Sequence, residues 1–217
     1  MSGPDAIRAR LLSLKARHPS RTRAEARRRA AGYYAAAIVV ALGVFQASGG
    51  ITHSHGRPLA FTLGIAAGAA AMAVVATIVA LGRGPARIGR PRQLLAGLAL
   101  AIPFVTLAWL VAWNGHYVEP FARVGYRCLA LTVGLGAVLL GAAVMVRRDT
   151  IATTPTASGA ALGAAMGAWA GVAVDLWCPL TNASHALVGH FAPLVLLVTM
   201  GAVLGHRVLR LRPILVS

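Results

Sequence analysis

Acidic residues are scarce in this chain of 217 residues, which has 5 Asp+Glu against 21 Lys+Arg. Asp175 is the only acid near a span centre or the last hairpin, and no paired carboxylates or Ser/His/Asp set is visible, so an enzyme is not expected. Charged residues make up only 12% of the chain, whereas 58% is hydrophobic and the mean hydropathy is +0.71. This composition lies outside the range of soluble globular domains and predicts an integral membrane protein.

Six long apolar runs follow a polar N-terminal segment, and each is near the roughly 20 residues that a helix needs to cross a bilayer. They cover residues 31–48, 59–81, 93–113, 126–146, 157–177 and 187–206. We therefore expect an all-α membrane protein, a bundle of six transmembrane helices. Since the first run begins only after residue 30, we expect a membrane span there and not a cleavable signal peptide.

The predicted organisation has three parts: a basic head at 1–30, a transmembrane domain at 31–208 and a tail at 209–217. A net charge of +16 could indicate a nucleic-acid partner, but the cations lie in the head and in short loops, where they indicate topology. Lys and Arg number 18 on the side of the head and 3 on the other side, at Arg57, Arg123 and Arg127. Both termini are therefore predicted to be cytoplasmic, in a bacterial inner membrane, with no direct nucleic-acid contact.

The head contains one apolar stripe. Ile7, Leu11 and Leu14 follow one another at helical spacing, and Pro19 ends the predicted helix. Such a short helix is marginal in water, so we expect it to fold on contact with a protein groove or with anionic membrane lipid. The alternative is a frayed tail that serves only as a topology signal.

Glycines recur at four-residue steps in the fifth run. Gly159, Gly163, Gly167 and Gly171 form a ridge without side chains, along which a neighbouring backbone can approach closely. A second pair, Gly201 and Gly205, lies in the last run. Packing within one chain is the favoured use of these glycines, and a homodimer through the glycine-rich helices is the alternative.

The two cysteines lie at similar distances from the turn that joins the fourth and fifth runs. Antiparallel helices therefore bring Cys128 and Cys178 to the same outward level, where an oxidising compartment would allow a disulfide or a redox-switchable pair. Arg127 and Asp175 stand beside them, and we expect these two charges to pair with each other. A guanidinium near a thiol would also favour the reactive thiolate. The alternative is two unconnected apolar cysteines.

His185 and His190 lie in the last hairpin with Cys178. On a continuous α-helix their five-residue spacing sets them about 140° apart, unlike the ligand pairs of helical zinc sites. If the hairpin is not helical throughout, Cys128, Cys178, His185 and His190 could form a Cys2His2 set for a transition metal. Otherwise these residues only cap and hydrogen-bond the hairpin.

The sequence resembles the NrsF-type membrane anti-sigma factors, and within them the myxobacterial members. The resemblance is carried by the six runs with a short head, Arg127-Cys128, and Cys178-Pro179 in the last hairpin. Further marks are Leu-Gly-Arg-Gly at 81–84 and the Asp-Leu-Trp-Cys-Pro run from 175. The resemblance implies that the head sequesters an extracytoplasmic-function sigma factor, and that the outward cysteines sense metal or oxidative stress. The alternative function is a small transporter with a basic topogenic head.

Overall fold

The computed structural model describes residues 23–49, 57–82, 91–116, 118–119, 123–147 and 152–209. Within those ranges the chain is helical and contains no β-strand. In chain order the helices are α1 (Arg23–Ala47), α2 (Leu59–Leu81), α3 (Arg92–Ala112), α4 (Tyr126–Arg147), α5 (Pro155–Trp177), α6 (Ala183–Ala186) and α7 (Ala192–Val208). A π-helical turn, Leu187–Phe191, joins α6 to α7.

Six helical segments of the described chain are long and apolar enough to cross a membrane. They are Arg28–Ala47, Leu59–Leu81, Arg92–Ala112, Tyr126–Arg147, Pro155–Trp177 and Ala183–Val208. For the described residues the predicted all-α fold is confirmed, with six helices long and apolar enough to be spans, and their boundaries lie within a few residues of the apolar runs. The chain divides into two compact units, Met1–Gly32 and Tyr33–Ser217, and all the packing described below lies within the second.

Helix α5 is the centre of this packing. In the apolar 18-residue stretch of α5, 78% of the residues are buried. The corresponding share is at most 39% in the other five helices. Its sequence explains this position, because alanine and glycine dominate it and allow α2, α3, α4 and α7 to pack closely around it. Ala161, Ala164 and Ala165 are completely enclosed.

The glycines of α5 contact α7 through the backbone. A Cβ added at Gly159 would lie 2.7 Å from the Cα of Gly205, and one added at Gly163 would lie 2.8 Å from the carbonyl carbon of Leu197. Gly201 in turn lies against Gly159. The ridge is thus buried inside the chain, as the favoured interpretation predicted. Gly171 is buried as well, but a Cβ added there would meet nothing within 4 Å.

Two tryptophans join α3 to α2. The ring of Trp109 lies against Gly68 and that of Trp113 against Gly64, so the missing side chains of the glycines make room for the indoles. Trp109 also donates a hydrogen bond from Nε1 to the carbonyl of Ile65, at 3.1 Å. Small residues thus set the packing between α2 and α3 as well as between α5 and α7.

Candidate functional site

The site begins where α5 ends. Cys178 closes the last turn of α5, since its amide donates to the carbonyl of Val174 at 2.7 Å, and the following Pro179 cannot continue the helix. The chain then runs without helical structure to Asn182. There the Oδ1 atom of Asn182 accepts from the amide of His185, at 3.0 Å, and caps α6. We call this end of the bundle, where α5 ends and α4 begins, the cluster end.

The π-helical turn brings the two histidines together. Its hydrogen bonds run between residues five apart, as from the amide of Ala192 to the carbonyl of Leu187. A residue and the fifth one after it are therefore stacked on one face, instead of about 140° apart as in an α-helix. The ring centroids of His185 and His190 lie 5.6 Å apart. The condition set by the sequence, a hairpin that is not α-helical throughout, is met.

The four predicted ligands form one buried cluster. Cys128 enters it from the first turn of α4, Cys178 from the end of α5, and the histidines from α6 and the π-helical turn. One ligand atom from each residue lies within 4.8 Å of the others, and all four side chains are buried. Within it, Cys178 Sγ lies 3.1 Å from His185 Nε2. We call this group the Cys2His2 cluster; two sulfurs and two imidazole nitrogens are a common ligand set for a tetrahedral metal ion.

Oxygen atoms outside the cluster orient both imidazoles. His185 Nδ1 lies 2.9 Å from the carbonyl oxygen of Arg123, which can only accept, so Nδ1 carries the proton and Nε2 faces the cluster. His190 Nδ1 lies 3.0 Å from Asp175 Oδ1, without the alignment of a full hydrogen bond. His190 Nε2 is buried and has no hydrogen-bond partner. Such outer partners are typical of metal-binding histidines.

The predicted pair of Arg127 with Asp175 is wrong. Among the described residues, Asp175 forms its ion pair with His190, whereas Arg127 donates to the carbonyl of Ser48 at 3.0 Å and lies 4.6 Å above the Trp177 ring. The two residues are at the same level but face different ways. Cys128 points into the bundle, so Arg127, about 100° further round α4, is exposed, while Asp175 is buried.

Sequence reasoning overlooked Glu119. Its Oε1 atom accepts from the amides of Thr181 and Asn182, at 2.6 and 2.8 Å, and its Oε2 atom accepts from Asn182 Nδ2, at 2.7 Å. Burial would raise the pKa of Glu119, but the hydrogen bonds from Asn182 and Thr181 outweigh it and lower the pKa below 4.5. Glu119 thus fixes the segment that presents Cys178 and His185. The signal in the sequence was that loop 114–125 contains a single acid.

Arg57 was also overlooked as a structural residue. It is buried, and its guanidinium donates to the carbonyl of Asp175 and, at 3.0 Å, to Thr62 Oγ1. This arginine places a positive charge at the C-terminus of α5, where the helix dipole favours it. It also links the start of α2 to the residue that contacts His190.

The thiol of Cys178 is held in its protonated form. A hydrogen bond with Cys128, together with burial, raises its pKa from 9.0 to about 11, although His185 acts in the opposite direction. The exposed Arg127 makes its interactions elsewhere. The expected stabilisation of a thiolate by Arg127 is therefore absent from this arrangement.

A cavity of about 420 Å³ opens beside the cluster. Cys128, Cys178 and His185 line its inner part, and the exposed residues Arg123 and Arg127 line its mouth. The remaining predicted residues, Ile7, Leu11 and Leu14 of the head, lie outside the described part of the chain.

The fold and the cluster together define a helical protein with six helices long and apolar enough to cross a membrane, and with a buried sulfur and nitrogen site at one end. The chain belongs to the NrsF family, described as negative regulator of sigma F, which matches residues 14–211. The class and partner of the protein are therefore those of a regulator that acts on a sigma factor. No curated protein and no solved structure matches the chain.

Proposed function

We propose that this protein is a membrane-embedded anti-sigma factor that holds an extracytoplasmic-function sigma factor through its N-terminal head and responds to a metal ion at the Cys2His2 cluster. In this proposal the protein lies in the bacterial inner membrane with both termini in the cytoplasm, and the cluster end faces outward. The family supplies the regulatory role. The excess of Lys and Arg on the side of the head supports the orientation.

The observation that carries the proposal is the cluster itself. Four buried ligand atoms lie within 4.8 Å of one another, and one of them, His190 Nε2, has no other partner. Buried polar atoms without a partner are costly, so an ion that binds them all stabilises this arrangement. In a tetrahedral site the ligand atoms would be roughly 3.3–3.8 Å apart, which the present spacing approaches to within about 1 Å.

The protonated thiol of Cys178 favours a metal ion over an oxidant as the signal. Oxidants react with the thiolate, and a pKa of about 11 leaves little thiolate on Cys178 at neutral pH. A metal ion displaces the thiol proton as it binds, so it does not require a thiolate that is already formed. Two sulfurs and two nitrogens favour a tetrahedral ion of the zinc class.

A binding experiment tests the cluster. The full-length protein in lipid nanodiscs is expected to bind one zinc ion per chain, and Cys178→Ser should abolish tight binding. The matched control is His206→Gln, an exposed histidine on α7 away from the cluster, which should leave the stoichiometry unchanged. Equal binding by the wild type and Cys178→Ser would refute the metal site and leave the family role intact.

A reporter experiment tests the head. The triple change of Ile7, Leu11 and Leu14 to Ala should release the sigma factor and raise transcription from its promoter, while the protein remains in the membrane. The control changes Arg8, Arg10 and Lys15 to Ala, which keeps the apolar stripe and removes charge. If the control releases the sigma factor and the apolar triple change does not, binding through the stripe is wrong.

A further inference from the structure

The cavity beside the cluster connects solvent with the buried ligands. Its mouth is formed by exposed residues, among them Tyr126, which is 70% exposed, and Arg127. Its inner wall contains Cys128, Cys178 and His185, each only 2% exposed. Three of the four ligands are therefore reached along one path, and a solute of a few heavy atoms fits in about 420 Å³.

The lining of this path is cationic. Its described residues include Arg123 and Arg127 but no carboxylate, since Glu119 contacts Thr181 and Asn182, and Asp175 faces His190. Trp177 also lines the cavity, and the Arg127 guanidinium lies over its ring. The path thus offers two positive charges, and guanidinium groups bind carboxylate oxygens.

We propose that the cavity binds small carboxylate anions, and that metal reaches the Cys2His2 cluster as an anionic carboxylate complex in preference to the bare hydrated ion. The inference rests on the proposed function, because it requires the cluster to bind metal. Two guanidiniums at the mouth repel a hydrated dication and attract an anion, which raises the local concentration of the anion. Arg127 is held in place by Ser48 and Trp177 and retains further N–H donors for a carboxylate.

The transfer from carrier to cluster is a ligand exchange without a change of oxidation state. Bonds from the ion to the carrier's carboxylates break, and bonds to two sulfurs and two imidazole nitrogens form. The two thiol protons pass to the released carrier or to solvent. Loss of the divalent ion makes the net charge of the carrier two units more negative, before any proton is taken up. The arginines at the mouth bind the free carrier until it exchanges with solvent.

The test follows the rate at which cadmium enters the cluster of the full-length protein in nanodiscs of uncharged lipid, by the ultraviolet absorption of the cadmium–thiolate bond. Cadmium is supplied either as the hydrated dication or as its nitrilotriacetate complex, which carries one net negative charge. Changing both Arg123 and Arg127 to Gln should slow loading from the complex by about tenfold or more at low salt. Loading of the hydrated ion should be unchanged or faster, and the final absorption should be the same.

Controls separate charge from structure. Arg123→Lys with Arg127→Lys keeps the charge and should restore most of the rate, and Arg92→Gln, at the other end of the bundle, should have no effect. The Arg123 carbonyl that contacts His185 belongs to the backbone and is retained in these variants. Added salt offers a test without mutation, because it should slow loading of the wild type from the complex and speed loading of the hydrated ion.

The two loading rates and their salt dependence each have an outcome that would contradict entry of the metal as a carboxylate complex. An equal change for both forms of cadmium, no change for either, or the same salt dependence for both would overturn the inference and leave the metal site standing. If the wild type shows no cadmium–thiolate absorption with either form, the proposed metal site fails and the inference fails with it.

Discussion

The contact between α5 and α7 gives a sharp prediction, since two glycines on one helix face different surroundings. A Cβ at Gly163 would lie 2.8 Å from the carbonyl carbon of Leu197, whereas a Cβ at Gly171 would meet nothing within 4 Å. Carbon atoms pack at roughly 3.5 Å or more, so Gly163→Ala must separate the helices by at least about 0.7 Å, and the carbonyl oxygen of Leu197 lies closer still. Overpacking of this kind costs about 1–3 kcal/mol, against a gain of at most about 1 kcal/mol from helix propensity.

Gly163→Ala is therefore expected to lower the thermal unfolding midpoint in detergent micelles, and Gly171→Ala to leave it unchanged or raise it slightly. Both changes add one methyl group to the same helix, so differences in hydrophobicity and propensity cancel in the comparison. The reasoning would be refuted if the two variants had equal midpoints, because that outcome would mean that the backbone contact between α5 and α7 is not formed.

Three further predictions concern the cluster end. Asp175→Asn, which removes the charge beside His190 and keeps the shape, should weaken zinc affinity by about 10–100-fold; unchanged affinity in a competition titration would contradict this role. Glu119 has a lowered pKa, so it should stabilise the fold above pH 4.5 and cease to do so as the pH falls through its folded-state pKa. Glu119→Gln should remove this acid-side dependence from the unfolding midpoint, and an identical pH profile would exclude it. The alkylation rate of Cys178 in the metal-free protein should rise about tenfold per pH unit up to about pH 11; a plateau near pH 9 would show an ordinary thiol.

The spans and the level of the site could be predicted from the sequence, but the rotation of the side chains could not. Apolar run length fixes where a helix crosses, and equal helix lengths bring Cys128 and Cys178 to one end. The direction of Arg127 depends on which face of α4 meets α5, and that is decided by packing between helices distant in sequence. The pair predicted from level alone, Arg127 with Asp175, was wrong for this reason.

The close approach of His185 and His190 could not be predicted from α-helical periodicity, for a different reason. An angle of about 140° assumes α-helical geometry throughout, and the π-helical turn inserts an extra residue that no apolar pattern reveals. The turn places His190 over His185. It occurs where the same stretch of chain both supplies a residue of the cluster and forms part of the last apolar helical segment. The local departure from the regular helix is thus itself a mark of the functional site.

The cluster and the glycine contact lie at opposite ends of the same two helices, which bears on how a signal could cross the bundle. A smooth glycine ridge suggests sliding, but Gly159 and Gly201 pack backbone against backbone, which resists translation. Gly171 lies between that contact and Asp175, and a Cβ added at Gly171 would meet no atom within 4 Å. The two helices are therefore closely joined at one end and less so near the cluster. An ion that draws Cys178 and His190 together would change the angle between α5 and α7 about the glycine contact, and it can do so only to the extent that it binds the closed arrangement more tightly than the open one.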